Sequence, residues 1–119
     1  MSNVHQMQPL LTREQIQAAF EVLASPSNEI GAARANLIRK EYRVKRVHAK
    51  LMRQAPEGSV EMRKAWATDH DDYAAACDDH AEAEGEWERL KDQRNKAELV
   101  MEAWRTMSSN DRTAVRATR

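Results

Sequence analysis

With 119 residues, the chain has length for one domain with one modest core. Aromatic residues make up 5% and charged residues 32%, with three Gly and three Pro, a composition that suits helices burying a seam and excludes a thick globular interior. A formal net charge of zero argues against a wholly basic nucleic-acid binder and against an acidic mimic, and the single cysteine, Cys77, excludes an internal disulfide framework.

Residues 1–11 are polar at the start, end in Gln8-Pro9-Leu10-Leu11, and are expected to be a flexible N-terminus. The opening MSNVHQMQPLL lacks the basic start and apolar run of a signal peptide, and no apolar run approaches the roughly 18 residues of a membrane span. Together with the lone cysteine, this points to a reducing, cytoplasmic compartment and to no membrane partner.

The single helical domain is expected over 12–108. Thr12 as N-cap with Gln15 at N3 spells a capping box, and Leu11 with Ile16 a hydrophobic staple, so a first helix is expected over 12–24. Ser25-Pro26 reads as a new N-cap followed by proline at N1, opening a second helix over 26–54. Ala55-Pro56-Glu57-Gly58-Ser59 is a turn, with Ser59 capping a third helix over 59–107. Within that helix Thr68-Asp69-His70-Asp71 is a weaker start signal and a candidate kink.

Two heptad ladders set the architecture. Ile30, Leu37, Val44 and Leu51 recur on the second helix. Trp66, Tyr73, His80, Trp87, Arg94 and Met101 recur on the third, with Ala76, Ala83, Leu90, Ala97 and Trp104 three residues on. The fold class is therefore all-α, an antiparallel helical hairpin with a coiled-coil-like seam plus a short N-terminal helix. Counting back from the turn places Leu51 opposite Met62, Val44 opposite Asp69, Leu37 opposite Ala76 and Ile30 opposite Ala83. The third helix then overhangs the second, with Leu23 of the first helix near Leu90 and Ile16 near Ala97. One short helix is too narrow to bury the overhang, so Trp87, Val100, Met101, Trp104 and Met107 are the candidate protein interface, and self-association as a dimer or higher oligomer is expected. His80 and Arg94 are polar at seam positions, and His80 is expected to bond to Glu84 one turn on.

Charge is sorted along the chain. Residues 29–54 carry eight basic residues against two acidic, a balance of +6, and residues 57–92 carry twelve acidic against four basic, −8. Arg39, Arg43, Arg46, Lys50 and Arg53 recur at helical spacing as one stripe, and the expected flexible tail 109–119 adds Arg112, Arg116 and Arg119. These eight are candidate nucleic-acid contacts through the phosphate backbone. The competing expectation is that the stripe pairs with Asp69, Asp72, Asp79 and Glu86 across the hairpin, fixing its orientation and leaving only the tail free.

Catalytic chemistry finds little support. Cys77 and His80 stand near His70 and several carboxylates, but the recognised pairs of a structural zinc site and the Glu-x-x-His repeats of a di-iron bundle are missing. His70-Asp71 has the residues of a phosphohydrolase dyad without the other ligands. Ser108-Ser109 has no visible base, and there is no Gly-rich phosphate loop. No catalytic, metal or cofactor-binding residue is assigned, and a non-enzymatic protein is expected.

The runs Trp87-Glu88-Arg89-Leu90, Ala97-Glu98-Leu99-Val100-Met101-Glu102-Ala103-Trp104-Arg105-Thr106 and Ser109-Asn110-Asp111-Arg112, with the upstream Glu57-Gly58-Ser59-Val60-Glu61 turn, resemble small helical proteins of tailed bacteriophages. The likeness covers roughly residues 40–112 and rests mainly on Glu-Ala-Trp-Arg-Thr. It implies a bacterial host cell as the setting and a gene placed among those for early DNA replication and recombination. The expectation is an accessory protein acting by protein–protein contact with a phage or host DNA-metabolism protein, with a weak single-stranded DNA contact. The alternative is an inhibitor that occludes a host enzyme or defence complex with its acidic helical face. A structural role in the virion is a third reading.

Overall fold

The computed structural model describes residues 11–25 and 28–117, without the side chains of residues 114, 115 and 117. The described residues form four α-helices and no strand: α1 (Arg13–Ala24), α2 (Glu29–Gln54), α3 (Val60–Thr68) and α4 (Asp71–Ala117). The chain divides into two compact units, a hairpin unit of Asn28–Leu90 and a terminal unit of Met1–Ser27 with Lys91–Arg119. The all-α hairpin matches the two ladders. The expected N-terminal arm 1–10 and the Pro26 signal lie outside the described residues.

Local chemistry accounts for each boundary. Thr12 Oγ1 accepts from the Gln15 N–H (3.1 Å) while Gln15 Oε1 accepts from the Thr12 N–H (2.8 Å), completing the capping box. The cap of α2 is Asn28, whose Oδ1 accepts from the Gly31 N–H at 3.0 Å, so this helix begins after the expected Ser25-Pro26 start. At its other end Ala55 is extended (φ −62°, ψ 148°), as Pro56 requires of the residue before it. Ser59 then caps α3 by accepting from the Met62 N–H at 3.1 Å.

The third helix is interrupted at the candidate kink, Thr68-Asp69-His70-Asp71. At Asp69 the chain closes α3 with bonds from the Asp69 N–H to the Ala65 carbonyl (3.0 Å) and from the His70 N–H to the Ala67 carbonyl (3.3 Å). His70 opens α4: its carbonyl accepts from the Tyr73 and Ala74 N–H groups, and its ring Nδ1 accepts from the Asp72 N–H at 3.0 Å. An imidazole thus performs the capping task usually given to Ser, Thr, Asp or Asn, with its ring 5.2 Å from that of Trp66.

This break shifts the hairpin register. His48 of α2 bonds to Thr68 (3.2 Å) and also packs edge-on to Tyr73 (5.1 Å), although those partners stand five positions apart in the chain. The intervening residues pass along the chain without advancing along α2. Where counting from the turn puts Tyr73 opposite Lys40, the structure puts Asp79 there, at 4.0 Å. Asn36 likewise shares a groove with Ala83, not with the earlier turn of α4. Near the loop the shift is small, for Arg63 Nη2 donates to the Met52 carbonyl at 2.6 Å.

In the hairpin unit the buried seam is Leu37, Leu51, Ala67, Ala76, Ala83 and Leu90. Of the two rungs on the third-helix ladder, the inner one is therefore the small-residue rung, since alanines let helix backbones approach while larger neighbours flank the contact. In the terminal unit Ala19 and Ala97 are both buried, and Gln15, Ala18, Ala19 and Val22 of α1 share a groove with Gln93, Lys96, Ala97 and Val100 of α4. That antiparallel match lies within about half a turn of the expected one. Beyond Met107 the chain stays helical to Ala117, past the expected end of the third helix. No Gly or Pro follows Gly85, and Thr106 and Thr113 hydroxyls donate to the carbonyls of Glu102 (3.1 Å) and Ser109 (3.0 Å), four residues back.

Candidate functional site

Three surfaces carry the chemistry of the molecule: a basic face on α2, an acidic face on α4, and an apolar face in the terminal unit. On α2, Arg39, Arg43, Arg46, Lys50 and Arg53 are all exposed. At 3.6 residues per turn they fall within an arc of about 80° and along about 21 Å of helix. Leu37 and Leu51, the buried residues of the same helix, point the other way. Among the described residues none of the five cations makes an ion pair. The expected pairing with Asp69, Asp72, Asp79 and Glu86 is therefore not formed. Among the described residues the α2 cation that ion-pairs with the acidic helix is Lys40, on Asp79, because Lys40 sits about 100° round the helix from Arg39 and so faces α4.

The acidic helix finds its other partners locally. Glu86 accepts from Arg89 Nη2 at 2.8 Å and Nε at 3.0 Å, one turn on. Those hydrogen bonds hold the Glu86 carboxyl below its usual range, against an opposing effect of burial and with a further lowering from the guanidinium charge. The same bonds raise Arg89, with a further contribution from Glu29. Asp72 lies 3.9 Å from His70 Nδ1. Asp71, Asp78, Glu82 and Glu84 face solvent.

The apolar surface differs from the expected overhang at one end. Trp87 belongs to the hairpin unit, where it is half-buried beneath the Arg34 guanidinium of α2, 4.7 Å from the ring. The register shift brings α2 alongside it, so Trp87 is not part of an uncovered stretch. Val100, Met101 and Met107 are half-buried, while Trp104 is 41% and Leu99 65% exposed. Phe20 on α1, which the sequence reading did not single out as a surface residue, is 56% exposed.

Arg112 and Arg116 are exposed on the last turns of α4, and Arg119 lies outside the described residues. His80 is half-buried without a bond to Glu84, whereas Arg94 pairs with Glu98 at 3.4 Å. The neighbouring Cys77 side chain, and after it burial, raise the Tyr73 pKa. No group of three or more His, Cys, Asp or Glu side chains converges among the described residues. No described helix is long and apolar enough to cross a membrane. Comparison with family models, with curated proteins and with solved structures finds no match.

Proposed function

We propose that this chain is a non-enzymatic accessory protein of phage-type DNA replication or recombination, acting in the bacterial cytoplasm by binding another protein of DNA metabolism and a second copy of itself. The observation that carries the reading is the exposure of Phe20, Leu99 and Trp104 in a unit built from one short helix and the C-terminal part of another. Large apolar side chains left open on so small a unit mark candidate contact points. Trp104 is of a residue type that dominates interface energetics. Light scattering tests this: the wild type runs as a dimer or larger, and Trp104→Ala lowers the mass while helix content by circular dichroism is kept. A wild type that stays monomeric as concentration rises overturns the self-association part, and a partner captured equally by wild type and Trp104→Ala overturns the interface.

A second reading has its own observation. Lys40 is the α2 cation that ion-pairs with the acidic helix, and Asp71, Asp78, Glu82 and Glu84 stay exposed; such a face suits an inhibitor that occludes a basic, phosphate-binding site on a host enzyme. Asp78→Asn with Glu82→Gln abolishes capture of the partner under this reading and leaves it intact under the first.

A further inference from the structure

The basic face of α2 remains unexplained by either contact. Five cations stand on one narrow arc of a single helix, spaced on average about 5 Å along its axis, without a carboxylate on any of them. The one α2 lysine that pairs with α4 lies off this arc. At the edge of the stripe Tyr42 is 60% exposed, with the Lys45 ammonium 5.8 Å from its ring centroid. An ordered row of unpaired positive charge beside an open aromatic ring is a combination that fits a polymer with regularly spaced anions and flat bases.

We infer that this stripe is a sequence-independent binding site for single-stranded nucleic acid. The geometry selects the single strand over the duplex. Along about 21 Å of duplex axis a strand winds through more than half a turn, so a straight row of cations meets its phosphates over only a short stretch. A flexible single strand lies along the whole row. The Tyr42 ring offers stacking that paired bases cannot use. Arg, the residue at four of the five positions, forks onto phosphate oxygens without being able to lose its proton. The stripe is an exposed row of charge, so the affinity comes from backbone charge and stacking and is indifferent to sequence. The site lies in the hairpin unit and the proposed protein-binding face in the terminal unit, so either reading stands or falls alone.

Fluorescence anisotropy with the full chain and labelled oligothymidylate, oligouridylate and duplex DNA of equal length, titrated at stepped salt, tests the site. The single strands bind more tightly than the duplex, and binding to either one supports the site and names the sugar it accepts. The slope of log affinity against log salt is about −3.5 if all five cations meet phosphates, at about −0.7 for each. Arg43→Gln with Arg46→Gln lowers that slope by about 1.4. Tyr42→Ala weakens binding with the slope unchanged. Arg112→Gln, Arg116→Gln and Arg119→Gln together leave the slope as it was. Each variant is checked by circular dichroism for retained helix. No binding at low salt, tighter binding to the duplex, an unchanged slope in the Arg43 and Arg46 variant, or a slope lost only with the C-terminal arginines overturns the inference.

Discussion

The Lys40 ammonium lies 4.0 Å from the Asp79 carboxylate, while Arg39, the preceding residue, faces solvent with no anion beside it. One residue of helical phase separates a cation that registers the hairpin from one left free for a ligand. A double-mutant cycle on Lys40→Ala and Asp79→Ala reads a coupling of about 0.2–1 kcal/mol, the size of a partly exposed pair. The cycle on Lys40→Ala and Asp72→Ala reads about zero, because Asp72 belongs to the register that counting from the turn implies. Coupling to Asp72 in place of Asp79 contradicts the register described above.

Two glycines in helices respond differently to alanine. A Cβ at Gly85 meets nothing within 4 Å, so Gly85→Ala raises stability by about 0.5–1 kcal/mol through helix propensity alone. At Gly31 the new Cβ runs into the Asn28 carboxamide, the group that caps α2. Displacing that side chain loses a cap bond of about 1 kcal/mol and cancels the gain. Urea denaturation of the two variants therefore gives a clear increase for Gly85→Ala and little change for Gly31→Ala.

The break between α3 and α4 depends on an unusual cap. His70 Nδ1 accepts from the Asp72 N–H at the first turn of α4. His70→Ala costs about 1 kcal/mol by chemical denaturation, and His70→Asn, which keeps an acceptor at the cap position, restores most of it. Equal losses in both variants show that the tilted ring contact with Trp66, and not the cap, holds the break.

The pair of Glu86 and Arg89 gives the acid side of the stability profile. The folded chain holds the Glu86 carboxyl below its usual range, first through the hydrogen bonds from Arg89. The unfolded chain therefore takes up the proton first as pH falls. The pair's contribution is fully present above the usual carboxylate range and is lost as pH drops through the lowered folded value. Melting temperatures of wild type and Glu86→Gln differ at neutral pH and converge in acid. A gap that stays constant with pH shows that the carboxylate charge contributes nothing.

Much of the architecture was legible in the residues themselves, because it depends on neighbours a turn apart. The Thr12 and Gln15 capping box, the stop before Pro56, the Ser59 cap and the heptad ladders are all short-range patterns, and each ends or starts a helix where the structure has it. The polar candidates were legible only as types: that Arg39, Arg43, Arg46, Lys50 and Arg53 share a face follows from helical spacing, whereas the identity of their partners does not. Tertiary structure decided that. The turn at Asp69 and His70 takes up residues without advancing along α2, which moves Asp79 beside Lys40 and puts Trp87 under Arg34. A helix break is decided by a few local hydrogen bonds of small net energy, but its effect on register is carried to every later residue. Sequence alone therefore determined which faces of the helices exist, and only the packed hairpin determined which of those faces remain free.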